Sequence, residues 1–310
     1  MLARRHLRIR VMQVLYTYFQ SEGYNVTKAE KELVEGTNRL YELYLALLQL
    51  LIELAEQEQL YRIDVASKFI VNKREFVRSF EKTAFITWLK NDEQFLDNCK
   101  KHKISWQADM EAVGKCFYKL RQHPAYREFT MTNTEGVEMD WLLKMYKEEI
   151  QQSESVNGVI EEKNIWWAES LELAHVMVVK TIRQFYTTEQ PAILPLFKDD
   201  ADDRDFMIRL LKETIKNDKE WTTIIAERTK NWEVDRIALS DMIMLKMAVT
   251  EVMKFDQIPV KVTLNEYIDI SKDYSTPQSK VFINGVLDKI VEELRKQDKF
   301  KKTGRGLVEN

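Results

Sequence analysis

Cysteine, proline and glycine are all scarce in this chain: its 310 residues include 2, 5 and 8 of them respectively. Two cysteines cannot form a disulfide framework, which excludes the disulfide-stapled secreted class and fits a reducing cytosol. So few glycines and prolines leave little punctuation for short strands and tight turns, and the composition points to helices. Long apolar runs are missing too. The most apolar stretch, "LYLALLQLLI" at 43–52, is shorter than the roughly 20 residues a membrane span needs and reads as a central core helix. Arg4, Arg5, Arg8 and Arg10 lead into an amphipathic stretch, which is not a secretory-leader pattern, so a cytoplasmic protein is expected. Neither sign of charge dominates. At a net charge of -3, any nucleic-acid contact has to come from a local patch. No Ser-His-Asp, Cys-His or HExxH arrangement and no glycine-rich phosphate loop stands out, so neither an enzyme nor a cofactor is expected.

What is present is helical periodicity almost throughout. Helices are expected near 4–20, 27–60, 204–217, 219–228, 235–255, 263–273 and 277–297, with several more filling 64–190. "PAILPLFKDDADDRD" at 191–205 carries two prolines and an acidic cluster, and reads as a solvated linker between two helical blocks. Thr263 and Glu266 form a capping-box pattern that would start one helix. Thr276 followed by Pro277 would start the next. The basic, glycine-containing end of the chain, 298–310, reads as a flexible tail.

Three features invite a functional reading. "RRHLRIR" at 4–10 carries four arginines and a histidine, and no acid precedes Glu22. Cations at a helix N-terminus oppose the helix dipole, so the arrangement suggests a bound anion such as a nucleic-acid phosphate; a solvated charged end is the plainer alternative. Cys99, His102, Cys116 and His123 could together bind zinc, but no Cys-x-x-Cys hook is present, and Cys116 sits in the apolar run "VGKCFYKL" as a small hydrophobe would. Trp88, Trp106, Trp141, Trp166 and Trp167 could stack bases, but at helical spacing they read as core. Last, "VFINGVLDKI" at 281–290 places Asn284 and Gly285 inside an apolar helix. Gly there costs about 1 kcal/mol relative to Ala. A close helix approach at Gly285, with Asn284 hydrogen-bonded across it to buried backbone or to Asn265, would explain the pair.

Three stretches then carry a resemblance. They are "RRHLRIRVMQVLYTYFQ" (4–20), "DRIALSDMIMLKMAVTEVM" (235–253) and "IPVKVTLNEYIDISKDYSTPQSKVFINGVLDKI" (258–290). They resemble the NusB family of transcription antitermination proteins, matching its arginine-rich first helix and its Asn-Glu and Phe-Val-Asn-Gly runs in order. The resemblance covers about 1–25 and 203–297. It implies an all-α fold of two packed helical bundles, here interrupted by a further helical region. The expected division is a NusB-like 1–35, an insertion of unknown role at 36–202, and a NusB-like 203–297.

The resemblance further implies a non-enzymatic, RNA-binding antitermination factor. It would act on boxA-type RNA together with the small-subunit ribosomal protein NusE, within an RNA polymerase antitermination complex, as monomer or homodimer and away from membranes. RNA contacts would fall on Arg4, Arg5, His6, Arg8, Gln13 and Tyr16. The family's lysine before Phe-Val-Asn-Gly falls on Val281, with Lys280 one position earlier. Asp241 matches the partner face, and Asn265, Glu266, Asn284 and Gly285 match the structural signature. The same fold fronts an RNA cytosine methyltransferase, which needs a further catalytic domain; only residues 291–310 follow the motif here. A protein-interaction scaffold on the same fold, with weak or no RNA binding, is the competing expectation.

Overall fold

The structure, a computed structural model, describes residues 2–67, 77–132, 136–229 and 237–307. It is all-α, and no strand occurs among the described residues. Asp235 and Arg236 of the motif stretch, and the last three residues of the tail, lie outside the described residues.

The helices are α1 (Arg4–Gln20), α2 (Val26–Ser67), α3 (Ala84–Asn91), α4 (Glu93–His102), α5 (Met110–Leu120), α6 (Pro124–Met131), α7 (Glu138–Met145, continued as a π-helical turn to Ile150), α8 (Glu154–Lys163) and α9 (Ile165–Thr187). After an irregular segment come α10 (Asp200–Lys216), α11 (Asp218–Arg228), α12 (Leu239–Lys254), α13 (Val260–Tyr274) and α14 (Ser279–Lys296). The chain divides into two compact units, 1–36 with 196–310, and 37–195. The long α2 contributes 26–36 to the first unit and the rest to the second.

The first unit is organised around α12, which is buried without a break from Asp241 to Val252. α10, α11, α13, α14 and α1 all pack on it. A buried helix with apolar residues on every side has no intrinsic rotational preference, and its polar residues supply one. Each buried polar side chain on α12 ties it to one or more neighbouring elements. Asp241 accepts from Ser275 and Ser279 at the α13–α14 junction. Lys246 pairs with Asp218 on α11 at 2.5 Å. Thr250 meets Thr214 on α10 at 3.1 Å. Glu251 accepts from Arg8 on α1 and from Thr263 and Tyr267 on α13. Fully satisfied buried networks of this kind specify one packing arrangement, because each unpaired member would cost on the order of 1–3 kcal/mol.

The second unit has its core along α2, where residues 43–48 are buried. The Tyr44 hydroxyl bonds Thr181 on α9 at 2.7 Å and accepts from the Leu194 N–H. Trp106 donates its indole N–H to the Ala46 carbonyl at 2.8 Å. Glu58, fully buried, accepts from Tyr126, Ser79 and Arg62. Phe129 and Trp141 stack with ring centres 3.8 Å apart. Trp106 and Trp141 are therefore core residues, as their spacing predicts.

Several local expectations are corrected. α13 begins three residues before Thr263, after Pro259. Thr263 sits inside it, fully buried, and donates to Glu251 at 2.8 Å instead of capping. α14 begins at Ser279, after a turn in which the Ser279 N–H reaches the Thr276 carbonyl. The stretch 191–205 does contain the boundary between the two units, and Asp199, Asp200, Asp202 and Asp205 are exposed, but its acidic part opens α10 instead of forming a linker. Asp199 caps α10 by accepting from the Asp202 N–H, and buried Asp203 accepts from the backbone of Lys198 and Asp199. Acids in this first turn favour the positive end of the helix dipole.

Asn284 and Gly285 do not form the expected lock. Both are exposed, a Cβ added at Gly285 would meet nothing within 4 Å among the described residues, and Asn284 donates sideways to Asp288 at 3.2 Å. Asn265 is likewise exposed. The apolar face of α14 is carried by Ile283, Val286, Leu287 and Ile290, and the two polar positions fall on the opposite side.

Candidate nucleic-acid interface

The basic segment forms the first turns of α1, and its residues divide sharply by burial. Arg8 is 2% exposed. Its guanidinium forms a bidentate pair with Glu251, Nε to Oε2 at 2.8 Å and Nη2 to Oε1 at 2.7 Å, and reaches Glu266 at 3.4 Å. These carboxylates hold the charge on Arg8 against its burial. Arg8 is thus engaged in packing, with Nε, Nη1 and Nη2 each directed at a carboxylate of the same unit.

Arg5 lies at the surface, its side chain 43% exposed. It contacts Glu266 at 3.1 and 3.2 Å and Asp269 at 2.8 Å, both on α13. Donating hydrogen bonds to Glu266 raises its already high pKa. Arg4 leans over the Phe206 ring at 4.8 Å and pairs with Asp202 and Asp203. His6 accepts the Ala3 N–H on Nδ1 at 3.2 Å, closing the start of the helix. Burial, with the Arg5 charge beside it, pushes the imidazole below its ordinary range, so His6 is neutral near pH 7.

Arg4, Arg5, His6, Arg8 and Glu266 line one open cleft of about 790 Å³, floored by Gln257, Ile258, Pro259 and Val262. The floor is the α12–α13 connection, and the chain's end holds it in place. Lys302 donates to the carbonyls of Val252 and Phe255 at 2.9 and 3.0 Å, satisfying the open end of α12. Thr303 donates its N–H to the Asp256 carbonyl. A Cβ on Gly306 would stand 1.9 Å from that carbonyl oxygen, and Gly304, at φ 52°, sits against Gln257. Residues 299–307, read from sequence as part of a flexible tail, thus make specific backbone contacts. Only glycine fits this docked arrangement at 306, because any side chain would collide with the main chain of Asp256.

The other sequence-derived positions lie outside this cleft. Gln13 accepts from Arg10 at 3.0 Å, and Arg10 is buried. Tyr16 is 41% exposed and its hydroxyl accepts from Gln20. Lys280 is exposed on α14, beside Val281 at 75% exposure. Asp241 is 5% exposed, with one oxygen taken by Ser275 and the other by Ser279 at 2.7 Å. It lines a small cleft of about 210 Å³ with Ala238, Thr276, Gln278 and Phe282. The Asp241 carboxylate is thus occupied within the fold, at the wall of that cleft.

The four cysteine and histidine positions are engaged separately. Cys99 and Cys116 are buried thiols, pushed by burial up to about 12 and about 11 respectively. His102 lies near Glu42, and His123 caps α6 while facing Glu148 at 3.1 Å. Among the described residues no group of three or more His, Cys, Asp or Glu is placed to hold a metal ion. No helix of the described residues is long and apolar enough to cross a membrane.

Sequence reasoning missed Glu251, Asp269 and Lys302. Glu251 did leave a signal: an acid inside the apolar run "IMLKMAVTEVM" has to find a buried cation.

Comparison with known proteins gives a consistent result. Residues 171–292 match the model of the NusB family. A transcription antitermination protein NusB of Salinibacter ruber is 46% identical over 110 residues, which span 36% of this chain and 69% of that protein. Those of Listeria monocytogenes and Chloroherpeton thalassium are each 38% identical, over 78% and 50% of their own lengths and about a third of this chain. No solved structure matches the chain.

Proposed function

The chain belongs to the NusB family, and from that premise we propose that it is an RNA-binding transcription antitermination factor. In this reading it acts on boxA-type RNA together with NusE. The observation that carries the reading is the cleft in which Arg4, Arg5 and His6 meet at one helix end.

A magnitude decides which arginines meet RNA. Exposed ion pairs contribute only about 0–1 kcal/mol, so Arg4 and Arg5 can exchange a carboxylate for a phosphate at little cost. Breaking the buried Arg8–Glu251 pair would cost about 3–5 kcal/mol, so Arg8 stays in place and holds α1. Val262 and the apolar part of the floor offer a surface for an unstacked base. NusE would dock away from this cleft, near the Asp241 pocket, and would enlarge the positive surface that a few arginines provide.

The carboxylates around Arg4 and Arg5 favour a second reading. Asp202, Asp203, Glu266 and Asp269 largely neutralise the cluster, as suits a protein-interaction scaffold with weak RNA affinity. Fluorescence anisotropy with labelled boxA-type and scrambled RNA, with and without NusE, separates the two. Antitermination predicts sequence-preferring, NusE-enhanced binding that weakens steeply with salt and is lost in Arg5→Glu. A flat salt dependence and an indifferent Arg5→Glu variant would establish the scaffold.

A further inference from the structure

The second unit carries an arginine held between two aromatic rings at its surface. Arg121 follows the last turn of α5, and its guanidinium carbon lies 4.6 Å from the Tyr61 ring centre and 4.8 Å from that of Tyr118. Tyr61 packs edge-on against Phe117, and Phe117 against Tyr126, whose hydroxyl donates to buried Glu58. The platform is therefore anchored in the core. Tyr118 is 54% exposed. Lys115 and Lys119 flank it on the exposed face of α5.

The guanidinium donors are the informative feature. Among the described residues Arg121 makes no side-chain hydrogen bond and no ion pair; its contacts are the two rings. This contrasts with Arg4, Arg5 and Arg8, whose forks all end on carboxylates. Stacking between rings removes much of the rotamer freedom an arginine otherwise loses on binding, while leaving its edge donors unspent.

We propose that Tyr118, Arg121 and Lys119 form a second RNA-binding site, one that takes single-stranded RNA. The Arg121 fork receives a backbone phosphate, a base stacks on the open face of Tyr118, and Lys119 follows the strand. An acidic peptide would use the guanidinium and leave the exposed ring idle. A duplex would offer phosphates but no base face to stack. This inference rests on the reading of the chain as an RNA-binding protein and assigns the 37–195 unit a direct part in it.

The test uses the full chain with a short labelled oligouridylate, titrated at several salt concentrations. Arg121→Gln is expected to weaken binding about tenfold and to reduce the slope of log affinity against log salt by about 0.7, one single-strand phosphate contact. Tyr118→Ala is expected to weaken binding at least about fivefold with the slope unchanged, because stacking carries no counterion release. Tyr118→Phe keeps the ring and should bind as the parent does, which separates stacking from loss of fold. Parent-like affinity and slope in both Arg121→Gln and Tyr118→Ala overturn the site alone if Arg5→Glu still weakens binding. Failure of the parent chain to bind RNA overturns the site and the RNA reading together. Binding of a labelled oligoglutamate that Arg121→Gln abolishes, with RNA binding untouched, reassigns the site to protein and also overturns it.

Discussion

The guanidinium of Arg8, on the first helix, and the carboxylate of Glu251, on the central one, meet through two hydrogen bonds of 2.8 and 2.7 Å with both side chains out of solvent. Thr263 and Tyr267 add donors to the same carboxylate. One buried carboxylate thereby joins α12 to α1 and α13, the two helices that line the candidate RNA cleft.

Removing either partner leaves an unpaired buried charge. Arg8→Ala and Glu251→Ala are each expected to lower unfolding free energy by about 3–5 kcal/mol. Arg5→Ala, which breaks only half-exposed pairs, should cost no more than about 1 kcal/mol. Urea unfolding of the three variants checks this ordering. An Arg8→Ala as stable as Arg5→Ala would return Arg8 to the RNA surface.

Burial is what separates the legible from the illegible here. Periodicity located α1 from 4 to 20 and α11 within a residue of their observed bounds, because each buries apolar residues four apart, Leu7, Val11 and Leu15 on one and Trp221 and Ile225 on the other. It could not divide Arg4 and Arg5 from Arg8, because the pairing depends on acids over 190 residues away in sequence, among them Asp202, Glu251 and Glu266. Asn284 and Gly285 misled for the opposite reason. They look buried from the apolar letters around them, but a helix turns 100° per residue, and these two fall on the outer side. The helices around α12 could be counted from the sequence; the hydrogen bonds fixing their order on it, at Asp241, Lys246, Thr250 and Glu251, could not.

Asp241 tests whether a buried acid can govern a partner surface. Asp241→Ala removes the acceptor shared by Ser275 and Ser279, and a charged acceptor of this kind contributes about 1.5–3 kcal/mol. Thermal unfolding should register that loss. Asp241→Asn retains one acceptor and should lose less. If the pocket beside Asp241 receives NusE, both variants weaken NusE binding in the same order. Unchanged NusE affinity in an unstable Asp241→Ala would remove this face from the partner surface.

His175 gives the second unit a pH response. It is 3% exposed on α9, with Nδ1 bonded to the Tyr146 hydroxyl at 2.7 Å, and burial pushes its pKa down to about 4. Between about pH 6.5 and 4 the unfolded chain then binds a proton that the folded one refuses, so stability falls as pH falls through this window. The full effect is about 3 kcal/mol. Comparing parent and Tyr146→Phe/His175→Phe by urea unfolding at pH 7.5, 5.5 and 4.5 isolates it. The parent should lose stability on acidification faster than the double variant, and parallel loss would show that His175 does not titrate on unfolding.

Gly306 links the end of the chain to the cleft at its start. A methyl group there would stand 1.9 Å from the Asp256 carbonyl oxygen, far inside contact distance, and the clash is with main chain and not with a flexible side chain. Gly306→Ala should therefore release 299–307 and expose the α12 carbonyls that Lys302 satisfies. Limited proteolysis should cut the released segment early. Because Asp256 adjoins Gln257 and Pro259 in the cleft floor, RNA affinity should fall about three- to tenfold without loss of the helical signal. The contact also has a pH signature. Burial pushes Lys302 down to about 8, so between about 8 and 10.5 the released tail binds the proton more readily than the docked one. Docking then strengthens as pH rises, and protection from protease should increase from pH 7.5 to 9.5 in the parent but not in Lys302→Met. A Gly306→Ala chain that keeps both its protease resistance and its RNA affinity would break the link between tail and cleft.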